Sequence, residues 1–446
     1  MVRKLLTALF ITVATGSCAH YPVNTAGAVP ATAGYRFDNF PATADNSDAL
    51  FVVLALSGGG ARAAAFSYGV MEQLQQTTVV RNGRTSTLME EVDVIAPASA
   101  SAFVAAYYAL HRAYTFRTFP SRFLEGDLQA RVIGATANPG NWPRLLAPAY
   151  DRVDLAAETY DNALFDRHTY ADLVRARQRP YLLLSATDVS LGRRFEFSQE
   201  QFDCLNSDLG SVSLARAVAA SAAFPVAFNP ITFENYATGD RKGEPAWVEG
   251  ILENRKAPAW QVTRAQDLRS YADGTARKHI RLLDGAISDY TGLTPILQSY
   301  TSTIGDFSIR RMIQSGRIKH LVVISVNAVR TPGVEWDAKE SAPNWIDMLY
   351  MTASEPIRNR AYETIAQFRE AIENDPATQS GTFDAHLITL DFTGVDDPAL
   401  RSRLETIRTT LSLTKSDAAD MRRAAGEAVR NSAEMRQVLA DLNSEK

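Results

Sequence analysis

Five short apolar runs are spaced along the chain, at residues 51–56, 92–95, 181–185, 280–283 and 320–326, with helix-like stretches between them. Strand and helix signals that alternate in this way predict an α/β fold, a three-layer sandwich whose mostly parallel central sheet is flanked by helices. In such a sheet, side chains at the C-terminal ends of strands share one crevice. Residues 115–175 interrupt the alternation with Pro120, the turn Pro139-Gly140-Asn141 and several aromatics; they read as a lid or rim, or as an ordinary insertion. Beyond residue 330 two further helices are expected, over 355–374 and 415–443. The second sets Ala418, Met421, Ala425, Val429, Met435, Val438 and Leu439 between charged positions, the pattern of a helix packed on its own domain.

The N-terminus has a different texture. Met-Val-Arg-Lys precedes an apolar stretch over 5–14 and then Thr15-Gly16-Ser17-Cys18. A basic start, a short apolar run and small residues predict a secretory signal over 1–17, too short to span a membrane. Residues 19–48 are rich in Ala, Pro, Thr, Asn and Gly and read, with Cys18, as a flexible tether. The remainder, 46% hydrophobic and 22% charged over the whole chain, is ordinary globular composition. A net charge of −4, or −6 once Arg3 and Lys4 leave with the signal, argues against a nucleic-acid partner and offers no general attraction to acidic lipid. Apart from Cys18 there is one cysteine, Cys204, so no intrachain disulfide is expected. The six histidines are scattered, and no H-x-x-x-H or Cys cluster suggests a metal.

Three segments carry candidate chemistry. Residues 56–66 read Leu-Ser-Gly-Gly-Gly-Ala-Arg-Ala-Ala-Ala-Phe, a glycine turn between a strand and a helix, where unpaired amides and the helix dipole favour an anion. No Lys-Ser/Thr follows the glycines, which argues against a phosphate loop, and the stretch 79–84 is polar where a dinucleotide site wants a strand ending in an acid. An oxyanion hole or a mere packing turn remains. Next, 92–110 runs from a β-branched strand through Pro97-Ala98-Ser99-Ala100-Ser101 into an apolar helix, the layout of a nucleophile elbow. Ser99 is the candidate; the rival Ser101 has bulky Phe103 two residues on. Last, the run 279–283 delivers Asp284 into the turn Gly285-Ala286.

In this order the segments resemble the patatin-like phospholipases, in particular their bacterial lipoprotein branch, with a G-G-G-x-R turn, a G-x-S-x-G elbow and a D-G-[GA] motif. Further likeness lies in Ser185-Ala186-Thr187-Asp188 with Phe195-Glu196-Phe197-Ser198, and in Ala219-Ala220-Ser221-Ala222-Ala223-Phe224-Pro225. The resemblance implies a phospholipase domain over 49–330 and a C-terminal helical extension over 331–446 packed on it. It also implies a Ser-Asp dyad: Ser99 attacks an ester carbonyl and Asp284 takes its proton. Gly58, Gly59, Gly60, Ala61 and Ala100 would form the oxyanion hole, with Arg62 bracing the loop, and neither metal nor organic cofactor would be needed. The elbow departs from the motif at Pro97 and Ser101, and lesser departures are Ala63 and Tyr290. Restoring glycine at 97 and 101 is the substitution that separates an active from an impaired elbow: a large gain in activity would show that the elbow is the limiting defect.

Cys18 resembles a lipobox cysteine, with Thr15 where Leu is usual and Ala19 suited to outer-membrane sorting. The expectation is a lipid-anchored serine acyl hydrolase of the bacterial outer membrane, facing the periplasm and acting on lipid esters. The alternative is a catalytically impaired lipoprotein that binds lipid or protein in the same crevice.

Overall fold

The computed structural model describes residues 19–42, 46, 49–81, 83–225, 227–329, 337, 340 and 342–444. The expected signal over 1–17 and the candidate lipidation site Cys18 lie outside the described residues.

The strand Leu50–Leu56 is buried along its whole length, as a strand covered on both faces must be. It sits at the centre of a five-stranded parallel sheet ordered Asp384–Leu390, His320–Val326, Leu50–Leu56, Val92–Pro97, Tyr181–Leu182. Helices flank it, so the α/β fold with a parallel central sheet is as the alternation predicts. Helix Gly60–Gln76 follows the central strand, and Lys415–Asn431 packs on that helix.

Two of the expected strands go elsewhere. The run 181–185 splits: Tyr181–Leu182 joins the parallel sheet, while Ser185–Asp188 starts a second, antiparallel sheet ordered Ile231–Glu234, His279–Leu283, Ser185–Asp188, Arg193–Glu196. Asp284 therefore emerges from an antiparallel strand. The sequence carries the reason: His279 and Arg281 are exposed while Ile280 and Leu282 are buried, the alternation of a strand with one solvated face.

The tether reading of 19–48 is corrected for its described part. Tyr35, Phe37 and Phe40 are almost fully buried, and Tyr35 stacks on Tyr181 with centroids 4.7 Å apart. Arg36 pairs with Asp203 at 2.5 Å and with Asp306. Buried Arg179 donates from Nε to the Phe40 carbonyl at 2.9 Å, and from Nη1 to Asn46 Oδ1 at 2.9 Å and to the fully buried Asp93 at 2.6 Å. Averaged over 30 residues, the small and polar types hide three aromatics close enough together to anchor the segment.

The C-terminal part is likewise more than a helical extension. Asp384–Leu390 is an edge strand of the central sheet, in unbroken register with His320–Val326. The helix expected over 355–374 runs from Trp345 to Glu373, and the one expected over 415–443 is interrupted at Ser432, between Lys415–Asn431 and Ala433–Ser444. Ala418, Met421, Ala425, Val429, Met435 and Val438 are buried against the body, as their spacing predicts. No helix among the described residues is long and apolar enough to cross a membrane.

Candidate active site

The glycine turn leaves the sheet where the central strand ends. Ser57 holds its start: its amide donates to Val326 O at 2.9 Å and its Oγ accepts from the Ala328 amide at 2.9 Å. Gly59 and Gly60 then take φ of 137° and 68°, angles that side-chain-bearing residues rarely adopt. A Cβ on Gly60 would also lie 2.5 Å from the Thr410 carbonyl oxygen, so the position needs glycine twice over.

Helix Gly60–Gln76 begins inside this turn, and the amides of its first turn have no carbonyl within the helix to donate to. Two amides of the turn have acceptors elsewhere: Gly58 donates to Tyr290 O at 2.8 Å and Ala61 to Thr410 O at 2.7 Å. Gly58 and Ala61 are thus removed from the expected set of oxyanion donors, because neighbouring carbonyls already hold them. The amides of Gly59, Gly60 and Ala100 donate to no acceptor among the described residues. Arg62 is buried and extends Nη1 to within 3.4 Å of the Ile407 carbonyl, so it braces the turn against the C-terminal segment.

Ser99 stands between the strand Val92–Pro97 and the helix Ser101–His111 at φ 52°, a left-handed conformation of the kind that costs a non-glycine residue about 1–3 kcal/mol. The sharp strand-to-helix turn therefore forms without the motif's glycines. Pro97 pairs with Leu56 as the last residue of its strand, and the next amide, Ala98, donates to Leu56 O at 2.8 Å, so the ladder continues past the proline. Ser101, fully buried, donates from Oγ to Ser57 O at 2.7 Å and lies 3.2 Å from Ser67 Oγ. A hydroxyl that the motif has no place for thus ties the elbow to the glycine turn.

Ser99 Oγ donates to Asp284 Oδ2 at 2.7 Å. The other carboxylate oxygen accepts from the Ala286 amide at 2.9 Å, and the Asp284 backbone is fixed by its own amide to Ala223 O at 3.0 Å and by Thr187 Oγ1 donating to its carbonyl at 2.8 Å. Gly285 is needed because a Cβ there would approach the Ser185 carbonyl oxygen to 2.5 Å. Burial pushes the Asp284 carboxyl up to about 7, against the pull of the Ser99 and Ala286 hydrogen bonds. A carboxyl so placed is a far better proton acceptor near neutral pH than a solvated one.

Ser99, Asp284, Gly60 and Ala100 open on one cavity of about 510 Å³, walled mainly by apolar groups that include Val132, Ile133, Ala222, Phe224 and Phe228. No histidine lines it among the described residues. Helix Leu128–Ala137 supplies one side, which makes part of the 115–175 segment a rim. Thr409, Thr410 and Leu411 supply another, and Leu411 donates its amide to Gln129 Oε1 at 3.0 Å, joining the two sides. Sequence reasoning missed this C-terminal wall: Thr-Thr-Leu has no local signal, and it meets the glycine turn only through the fold.

Residues 54–289 match the family described as patatin-like phospholipase. No curated protein matches the chain. Among solved structures, human GIVD cytosolic phospholipase A2 is similar at 15% identity and a TM-score of 0.41, over 91% of this chain and 63% of that one. The same human protein in complex with methyl gamma-linolenyl fluorophosphonate is similar at 14% identity and a TM-score of 0.41, over 89% of this chain and 59% of that one. The chain thus spans about three fifths of the length of the structures it matches. With more than half of its length matched by the family's profile, the chain belongs to the patatin-like phospholipases.

Proposed function

We propose that the protein is a serine acyl hydrolase that cleaves carboxylic esters of lipids, with Ser99 as nucleophile and Asp284 as its base. The observation that carries this reading is the 2.7 Å bond from Ser99 Oγ to Asp284, made by a serine at φ 52° beside an apolar cavity long enough in volume to take an acyl chain. Ser99 Oγ adds to the ester carbonyl carbon as its proton passes to Asp284. The amides of Gly59, Gly60 and Ala100 hold the resulting oxyanion, and donors of this kind contribute about 3–4 kcal/mol each where their removal has been measured. Collapse breaks the bond to the leaving alkoxide, which takes the proton from Asp284. Water then adds to the acyl carbon as it gives a proton to Asp284; collapse breaks the ester bond to Ser99 Oγ, which takes that proton back from Asp284, and the fatty acid leaves.

The test is labelling of the folded chain with a fluorophosphonate, followed by peptide mapping. Labelling at Ser99 that vanishes in Ser99→Ala is expected. A folded protein that takes no label would favour the non-catalytic binding role instead. We also propose that Cys18 carries a lipid anchor and that the protein belongs to the bacterial lipoprotein branch, held at the outer membrane and facing the periplasm. The support is the basic, apolar and small-residue order of residues 1–18. A lipid-modified N-terminal peptide, absent in Cys18→Ser, is the expected mass-spectrometric result.

A further inference from the structure

Three glycines in a row give the turn at 58–60 more backbone freedom than other residues would, yet an oxyanion site works best when its donors stand in place before the reaction. Hydrogen bonds fix the turn at Gly58 and Ala61 and leave the Gly59 and Gly60 amides without one among the described residues. Packing has to hold what lies between. The Thr410 backbone lies against Gly60. Against Gly58 and Gly59 lies the side chain of Tyr290, one of the chain's departures from the motif.

A Cβ on Gly58 would lie 3.4 Å from Tyr290 Cε2, and one on Gly59 would lie 3.4 Å from Tyr290 Oη. Those two atoms flank Cζ, so the far end of the ring spans the peptide that carries the Gly59 N–H. The carbonyl of the same residue accepts from the Gly58 amide at 2.8 Å. Main chain and ring thus grip consecutive positions of the turn. The support is itself anchored: the Asp289 amide donates to Gly285 O at 3.0 Å, and Asp289 Oδ1 accepts from Thr294 Oγ1 at 3.0 Å. Gly292 passes so near the strand Val92–Pro97 that a Cβ there would lie 2.0 Å from Ala96 O. Tyr290 does not wall the Ser99 cavity; it lines a separate one of about 440 Å³.

We propose that the Tyr290 side chain is a positioning residue for hydrolysis: its ring holds the Gly58–Gly59 peptide so that the Gly59 N–H stands ready for the oxyanion. The inference deepens the hydrolase reading and rests on the oxyanion role proposed for that amide. Packing suits the task better than a hydrogen bond, because an acceptor on Gly59 would occupy the donor that the reaction needs.

The test compares Tyr290→Ala and Tyr290→Phe with the parent, in the full chain, on a soluble ester, with active sites counted by exhaustive fluorophosphonate titration. In Tyr290→Ala, kcat per titrated site should fall about 10- to 100-fold with KM within about twofold, since substrate does not meet the ring. The rate of fluorophosphonate labelling should fall with it, because the phosphoryl oxygen uses the same donors. Tyr290→Phe keeps the ring and should stay within about threefold of the parent in kcat. The pH dependence set by the Asp284 carboxyl should be the same in all three. Exchange of the Gly58 amide should quicken in Tyr290→Ala and stay near parental in Tyr290→Phe. Parental kcat per site in Tyr290→Ala would overturn the inference. So would a loss carried by KM or by a displaced pH profile, which would put the effect at the substrate or at Asp284. If the folded parent cleaves no ester and takes no label, the hydrolase reading fails by itself. Gly58 exchange then decides whether the ring holds the turn: quickening in Tyr290→Ala alone supports the brace, and no change sinks it.

Discussion

Ser101 stands two residues past Ser99, where the elbow motif has glycine, and Ser101→Gly is the substitution for which motif and structure expect opposite results. The motif expects relief of crowding and a gain in rate. In the structure the hydroxyl is fully buried and donates to Ser57 O at 2.7 Å, so its removal leaves a buried carbonyl without that donor. Such a loss costs about 1–3 kcal/mol, and glycine in the first turn of helix Ser101–His111 adds about 0.5–1 kcal/mol. The kinetic consequence comes from place. Ser57 leads directly into Gly59 and Gly60, whose amides are proposed to hold the oxyanion, and a shift near 1 Å at such a site costs on the order of a hundredfold. We expect kcat on a soluble ester to fall about 10- to 100-fold in both Ser101→Gly and Ser101→Ala, with KM little changed because the cavity walls lie elsewhere. Hydrogen exchange at the amides of Gly58 and Ala61, which the turn holds on Tyr290 O and Thr410 O, should quicken in both, whether or not ester is turned over. Ser67→Ala, which removes the longer 3.2 Å contact, should do less. A Ser101→Gly protein with unchanged exchange and equal or higher kcat would refute the reasoning.

Asp284 should give hydrolysis a rising limb near pH 7, since its carboxyl is held at about 7 and acts as base only when ionised. Because that value is raised from an ordinary 3.8, the folded state binds the proton more tightly than the unfolded chain; the stabilisation is full below about pH 4 and is lost as pH rises through 7. Asp284→Asn should therefore abolish hydrolysis yet raise unfolding free energy at pH 8 by on the order of 2–4 kcal/mol, with little difference at pH 4, in denaturant titrations at both values. Arg179→Ala leaves Asp93 buried without its cation and frees the Phe40 carbonyl; a loss of about 3–5 kcal/mol and new proteolytic cleavage within residues 35–46 are expected. Gly60→Ala drives a Cβ into the Thr410 carbonyl, so hydrolysis should fall more than about a hundredfold and protease should cut within 405–413, where the parent resists.

What could be read from the sequence was what is local. The apolar run at 320–326 is the observed strand to the residue, the glycine turn and elbow lie where their neighbours place them, and Ser99 and Asp284, 185 residues apart in the chain, meet at 2.7 Å. The readings that failed depended on averages or on distant partners. Residues 19–48 look like a tether because composition weighs Ala and Pro equally with Tyr35 and Phe37, whereas a packed segment needs only a few anchors. The strand before Asp284 looks by its apolar content like one more strand of the central sheet, although its alternation marks a half-solvated sheet.

The amides of the glycine turn make the sharper case. Sequence can say that a helix start exposes several N–H groups, but not which of them other carbonyls will claim. Here Tyr290 takes Gly58 and Thr410 takes Ala61, from positions more than 200 and nearly 350 residues along the chain. Those two bonds anchor the turn on both sides and leave Gly59 and Gly60 available between them. The same C-terminal loop that claims Ala61 also walls the cavity and receives Arg62 at Ile407, so the final hundred residues belong to the site as much as the motif does. A chain cut after residue 330 would keep Ser99, Asp284 and all three glycines, and would lose both an edge strand of the sheet and one wall of the site.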